Sequence, residues 1–220
     1  MITVALVDDQ PLVRAGFSML VNSQPDMEVV WQANDGTGVL GQSTADIVLL
    51  DIRMPGTDGI TACSSLLEEQ PHTRVIMLTT FDDRDLVLGA LEAGASGFLL
   101  KDADPDELLE AIRTVHGGDA VLAPKVTKYV IGAAHAPEQQ EAMRNETMLE
   151  QLTPREVEIL RLVALGYSNE EIAAAETLSP ATVKTHVHRI LFKTDSRDRV
   201  HAVLFAFRAG VVGTSELLGH

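Results

Sequence analysis

No internal disulfide is open to this sequence, because Cys63 is its only cysteine. No Cys or His stands beside it at metal-ligand spacing, so Cys63 reads as a small helix residue. Long apolar runs are also missing. No stretch of about 18 or more apolar residues occurs, which argues against a membrane-spanning helix and leaves no direct membrane insertion to expect. The N-terminus enters a strand-like pattern directly, without a charged, apolar, small-residue leader, so the expected location is the cytoplasm. Positive charge is scarce: 17 Lys and Arg face 32 Asp and Glu, a formal charge of −15. The imbalance is local. Residues 1–149 hold nine of the cations and 23 of the acids, net −14, and residues 150–220 hold eight and nine, net −1. The overall charge opposes non-specific adhesion to nucleic acid, but a nearly neutral C-terminal part can still bind DNA if its few cations share one face.

What the chain does have is 45% apolar residues over 220 positions, enough for two modest cores. In the first part, short apolar runs alternate with amphipathic stretches. Thr3–Val7, Glu28–Gln32, Ile47–Leu50, Arg74–Leu78 and Gly97–Leu100 read as strands, with helical periodicity between them. Five strands alternating with helices imply an α/β doubly wound parallel sheet covered on both faces. Pro11 opens the first helix, Asp104 and Pro105 the last, Glu107–Val115, which Gly117 and Gly118 end. This domain is expected over residues 1–122. A weakly patterned, partly helical linker follows over 123–149. An all-α domain of four helices, near Pro154–Leu165, Asn169–Glu176, Pro180–Lys193 and Arg197–Ala209, is expected over 150–220. The two middle helices meet at a tight turn, the outline of a helix-turn-helix.

In a doubly wound sheet, ligands bind at the carboxyl ends of the strands. Asp8 and Asp9 follow the first strand, Asp51 ends the third, Thr79 the fourth and Lys101 the fifth. Singly, each is an ordinary loop or turn residue; on four successive strand ends they converge on one crevice. Three carboxylates brought together repel unless a cation sits among them, and hard, oxygen-seeking Mg²⁺ is the natural occupant. With Lys101 as a second positive charge, such a crevice suits transfer of a phosphoryl group onto a carboxylate. Asp58, Asp82, Asp83 and Asp85 read as solvated loop or helix-start charge.

The runs Val7-Asp8-Asp9-Gln10, Asp51-Ile52-Arg53-Met54-Pro55-Gly56-Thr57-Asp58-Gly59, Leu78-Thr79-Thr80 and Leu100-Lys101-Asp102 together resemble the response-regulator receiver family. The resemblance implies that Asp51 accepts a phosphoryl group from a sensor histidine kinase. It implies that Asp8, Asp9, Asp51 and the backbone carbonyl of Arg53 hold Mg²⁺, that Thr79 and Lys101 meet the phosphoryl oxygens, and that Phe98 is a rotating aromatic switch. The expected protein is a phosphoacceptor with at most slow self-dephosphorylation, not an enzyme. If Arg53 and Phe81, each two positions beyond a site residue, flank the path of attacking water, their bulk slows hydrolysis.

In the C-terminal part, Ser168 and Glu171 form a capping box and Pro180 suits a first helical turn. Within that helix Val183, Val187, Ile190 and Leu191 share one stripe, and Thr185, His188 and Arg189, with Lys184 at the border, form a polar, basic surface suited to a major groove. The segment from Leu152-Thr153-Pro154-Arg155-Glu156 through Thr182-Val183-Lys184-Thr185-His186-Val187 to Arg197-Asp198-Arg199-Val200 resembles the LuxR/FixJ-type DNA-binding domain. The whole chain is similar to a NarL/FixJ-type response regulator. That resemblance implies base contacts from Lys184, Thr185 and His188, and phosphate or sugar contacts from Thr182, His186 and Arg189. It also implies a homodimer through the last helix, around Val200–Phe207, on double-stranded DNA with a two-fold symmetric or direct-repeat site.

Glu176 and Thr194 stand where the family places apolar residues, and buried without partners each would cost about 1–3 kcal/mol. They suggest a second reading, a phospho-dependent interaction module with a non-functional DNA reader. A third, a haloacid-dehalogenase-type phosphatase, needs another aspartate two positions after the first, where Arg53 stands.

Overall fold

The computed structural model describes residues 1–79, 84–118, 121–122 and 139–213. The chain divides into two compact units, Met1–Tyr129 and Val130–His220.

The first unit is a parallel sheet. Its strands are β1 (Ile2–Val7), β2 (Met27–Ala33), β3 (Ile47–Asp51), β4 (Arg74–Thr79), β5 (Gly97–Leu100) and β6 (Val121–Leu122), in spatial order β2-β1-β3-β4-β5-β6. All five expected strands form, and β6 adds two residues beside Gly97 and Phe98. The helices are α1 (Pro11–Asn22), α2 (Gly59–Glu69), α3 (Arg84–Glu92) and α4 (Pro105–His116), with a 3₁₀ turn over Gly36–Val39. Ile47–Asp51 is buried at every position, as expected for a central strand covered on both faces. One face of the sheet packs Ile2, Val4, Leu6, Ile47, Leu49, Ile76, Leu78 and Leu99 against Val21 of α1 and Leu108, Ile112 and Val115 of α4. Successive strand side chains point oppositely, so Val48, Leu50, Val75, Met77 and Phe98 line the other face. Cys63, fully buried on α2, is the packing residue expected.

The order β2-β1-β3 is the decisive topological fact. The chain leaves β1 toward one side and crosses to the other at β3, so a crevice opens where these two strands end, and Asp8, Asp9 and Asp51 stand there.

The second unit contains α5 (Gln139–Glu150), α6 (Pro154–Ala164), α7 (Asn169–Glu176), α8 (Pro180–Lys193) and α9 (Arg199–Arg208). Both α6 and α7 open with complete capping boxes, Thr153 with Glu156 and Ser168 with Glu171. Thr177, left-handed at φ 54°, ends α7, and Ser179 caps α8 through the Thr182 amide, so three residues separate the two helices. Ile159, Leu160, Ile172, Val183, Ile190, Val200 and Ala206 form the buried interior. Among the described residues, no helix is long and apolar enough to cross a membrane.

Glu176 and Thr194 do not meet the condition of burial without a partner. Glu176 is not an unsatisfied buried acid: it is half-buried, its carboxylate pairs with Arg155, and Arg155 Nη2 donates to its carbonyl at 3.1 Å. Thr194 is buried but satisfied, donating to the Ile190 carbonyl at 2.8 Å and lying 2.8 Å from the Ser196 hydroxyl.

Candidate functional site

The acidic crevice is assembled by backbone geometry. Asp8 Oδ1 accepts from the Gln10 amide at 2.8 Å, which turns the chain into α1. From α1, Arg14 Nη1 donates to the Asp8 carbonyl at 2.6 Å, tying the first helix to the end of β1. Asp51 is the last residue of β3, and its Oδ1 accepts from the Arg53 amide at 3.2 Å. Asp58 then caps α2 through the Thr61 amide at 2.8 Å, which is the helix-start role expected of it. Asp85 likewise lies in the first turn of α3.

Ligand oxygens of Asp8, Asp9 and Asp51 all lie within 4.8 Å of one another. Lys101 reaches into this group from the end of β5, with Nζ 2.8 Å from Asp8 Oδ2 and 2.7 Å from Asp51 Oδ2. Burial raises the pKa of Asp51, and the Lys101 ammonium only partly offsets this. Burial alone would lower Lys101, but its hydrogen bonds to Asp51 and Asp8 and their charges prevail and raise it. One buried cation is thus shared by two buried carboxylates, with the half-buried Asp9 beside them, a deficit of positive charge. Asp9 Oδ1 is enclosed and has no hydrogen-bond partner among the described residues. An enclosed carboxylate oxygen without a donor, beside two more carboxylates, fits a hard divalent cation with an all-oxygen shell.

Thr79 is buried at the end of β4, beside β5, where the Lys101 amide donates to its carbonyl at 2.8 Å. Phe98 is wholly buried in β5, paired with Met77 and Leu122. Arg53 is exposed. Thr80, Phe81, Asp82 and Asp83 lie outside the described residues, so the expectation resting on Phe81 has no structural counterpart here. A cleft of about 470 Å³ runs beside the acidic group, lined by Asp9, Arg53, Met54, Pro55, Ile60 and Leu86. Sequence reasoning missed Arg14, whose only signal is its place in the second turn of the helix that follows Asp8 and Asp9.

In the second unit, α8 turns Val183, Val187 and Ile190 inward. Thr182, Lys184, Thr185, His188 and Arg189 are exposed. His186 differs from these: it is half-buried, and its Nδ1 is enclosed without a hydrogen-bond partner among the described residues. The helix is held from behind. Lys193 Nζ, in its last turn, pairs at 2.7 Å with the buried Glu156 of the α6 capping box. Burial alone would raise the Glu156 pKa, but the Lys193 and Thr153 hydrogen bonds prevail and lower it. Arg199, on α9, donates to Asn169 Oδ1 at 3.1 Å and to the Tyr167 carbonyl, which fixes α7 against α9.

Residues 4–113 match the response regulator receiver domain family, and residues 150–206 match the luxR family of bacterial regulatory proteins. The chain is 42% identical to the transcriptional regulatory protein YxjL of Bacillus subtilis, over 96% of this chain and 97% of that one. It is 36% identical to the oxygen regulatory protein NreC of Staphylococcus carnosus, over 93% and 96%. Among solved structures it is similar to the response regulator ChrA of a heme-sensing two-component system, with 38% identity, TM-score 0.51 and coverage of 96% and 98%.

Proposed function

Because this chain belongs to the two-component response regulators of the LuxR family, with a receiver domain ahead of a DNA-binding domain, we propose that phosphorylation of Asp51 by a sensor histidine kinase controls its dimerisation and its affinity for specific DNA in the cytoplasm. The observation that carries the reading is the Asp8–Lys101–Asp51 bridge with the unpartnered Asp9 oxygen beside it. Asp51 is the nucleophile. One of its carboxylate oxygens bonds to phosphorus as the bond to the donor's histidine breaks. Asp8, Asp9, Asp51 and the Arg53 carbonyl are the groups that would hold Mg²⁺. When bound, the ion supplies charge neutralisation for the carboxylates and for the incoming phosphoryl oxygens. Lys101 leaves its bridge to pair with a phosphoryl oxygen, and Thr79 donates its hydroxyl to another. Replacement of the Asp51 charge by a larger dianion biases the strand ends around β4 and β5, with Phe98 as the switch, and so shifts the population toward the DNA-binding dimer.

Lys184, Thr185 and His188 read bases in the major groove, with Thr182, His186 and Arg189 on the backbone. The site is double-stranded DNA with two-fold symmetric or directly repeated halves, matched by a homodimer through α9.

The test is intact-mass analysis after acetyl phosphate treatment with MgCl₂, paired with a gel shift on upstream DNA. One phosphoryl group, lost in Asp51→Asn, together with tighter DNA binding by the phosphorylated form is the expected result. Absence of the added mass, or its persistence in Asp51→Asn, removes the phosphoacceptor role.

A further inference from the structure

Phe192 is the one large apolar side chain of α8 turned to solvent, and it is 86% exposed. At 100° per residue it lies about 20° from Thr185 around the helix axis, between His188 and Arg189, and roughly opposite the buried stripe of Val183, Val187 and Ile190. It therefore stands on the centre line of the surface assigned above to base reading. It is seven positions beyond Thr185, so it sits about 10 Å further along the helix.

We propose that Phe192 is a specificity-determining residue that seats its ring on the C5-methyl group of a thymine in the major groove, at the end of the half-site away from the first turn of α8. This deepens the DNA-reading role proposed above and rests on it. The thymine methyl is the apolar feature that the major groove offers, and a phenyl ring can contact it without needing a hydrogen bond. The surroundings favour DNA over an apolar protein surface. Pro180–Lys193 contains Lys184, Arg189 and Lys193 and no acidic residue, and exposed His188 and Arg189 flank the ring. Lys193, next to Phe192 in the chain, is turned away to Glu156, so the end of the helix nearest the ring offers an apolar contact rather than a free ammonium. The neighbouring acid, Asp195, is held by Arg144 at 2.8 Å.

The test uses the full chain treated with acetyl phosphate and a DNA duplex that it selects from a random pool. Each thymine of the selected half-site is replaced in turn by deoxyuridine, which removes only the methyl group, and Kd is measured by fluorescence anisotropy. For wild type, one replacement in each half-site weakens binding about three- to fivefold, the worth of burying one methyl. Phe192→Ala binds the unmodified duplex weaker by a similar factor and is indifferent to deoxyuridine at that position, whereas Phe192→Leu keeps part of the discrimination. Because the ring is exposed, an unchanged circular dichroism melt accompanies both variants.

Equal deoxyuridine sensitivity in wild type and Phe192→Ala overturns the assignment, as does a wild type insensitive at every thymine or a selected site without thymine. In those outcomes the protein still selects DNA, so the DNA-reading role survives. Failure to select any sequence removes that role and this assignment together.

Discussion

A Cβ built on Gly59 lies 2.1 Å from the Asp51 carbonyl oxygen and 2.8 Å from the Ile52 Cα. Both obstacles are backbone, so neither can swing aside as a side chain would. The same contact carries a hydrogen bond, from the Gly59 amide to the Ile52 carbonyl at 2.9 Å, and it sets the loop that leaves the candidate phosphoacceptor. Glycine is needed here for close approach, not for an unusual φ.

Gly59→Ala is therefore expected to push the Asp51–Asp58 loop away from α2, at a cost of about 1–3 kcal/mol. The acetyl phosphate reaction should slow along with it, because Asp51 and the Arg53 carbonyl move relative to Asp8 and Asp9. Urea unfolding and the rate of phosphoryl incorporation check this together. Wild-type values for both would show that the backbone yields without disturbing the site.

Much of this site could be read in the sequence. Asp8 and Asp9 follow β1, Asp51 and Thr79 end β3 and β4, and Lys101 follows β5, each located by an apolar run, so the meeting of Asp8, Asp9, Asp51 and Lys101 follows from the doubly wound pattern. The Lys101 bridge was not readable, since order along the chain says nothing about which carboxylates an ammonium reaches. The β6 strand is two residues long, too short to show a period. The partly helical linker expected over 123–149 gives no helix bounds, because Gln139–Glu150 has only Ala142, Met143, Met148 and Leu149 as apolar positions; the structure places a helix there, and it packs on α9. Glu156 and Lys193 are 37 residues apart, and periodicity within either helix does not reveal their pairing.

Mg²⁺ is expected to raise the unfolding midpoint of the receiver. An ion at about 100 times its Kd stabilises by about 2.7 kcal/mol. Asp9→Asn should lose most of that shift, since its unpartnered oxygen is the acceptor best placed for a cation. Lys101→Met should be destabilised by about 3–5 kcal/mol in the absence of the ion, as expected when one partner of a buried ion pair is removed, and should recover more on adding MgCl₂ than wild type does. Differential scanning fluorimetry with MgCl₂ and with EDTA makes the comparison; an Asp9→Asn variant stabilised as fully as wild type would refute the assignment of that oxygen.

Glu156 gives the C-terminal domain a pH dependence of definite sign. Its folded-state pKa lies below the ordinary value of 4.5. The associated stability is therefore fully present above that value and is lost as pH falls through it toward the folded pKa. Glu156→Gln retains a group able to complete the capping box and loses the charge pair with Lys193. Hydrogen exchange in peptides from α6 and α8 should show the variant less protected at pH 7, by about 1–3 kcal/mol, with the gap to wild type narrowing as the pH is lowered. A gap that stays constant down to acid pH would contradict the Glu156–Lys193 charge pairing.

Replacing Glu176 and Thr194 with leucine should bring no gain in stability. Glu176→Leu removes one of the two carboxylates paired with Arg155, leaving Glu158, and Thr194→Leu takes a donor from the Ile190 carbonyl, which keeps the residue 194 amide, and a partner from the Ser196 hydroxyl. Thr194→Leu is expected to cost about 1–3 kcal/mol, the more severe of the two because Thr194 is buried. The same exchange measurement checks both, and increased protection in either variant would show that its polar side chain is a defect of packing after all.

The α8 surface predicts two different failures of DNA binding. Arg189→Ala, at a position assigned to the backbone, should weaken binding to every sequence alike and reduce the dependence of log K on log salt by about 0.9, one phosphate contact's worth. His188→Ala, at a position assigned to a base, should lower affinity for the selected site by about 1–3 kcal/mol while leaving non-specific binding nearly unchanged. The distinction follows from geometry: both side chains are exposed and adjacent in the chain, yet they point about 100° apart around the helix axis. Titrations on the selected duplex and on an unrelated one, at several salt concentrations, separate the two effects. If Arg189→Ala altered the preferred sequence and His188→Ala only the salt slope, the roles of the two flanks of α8 would have to be exchanged, and α8 would lie in the groove rolled about its axis from the orientation proposed here.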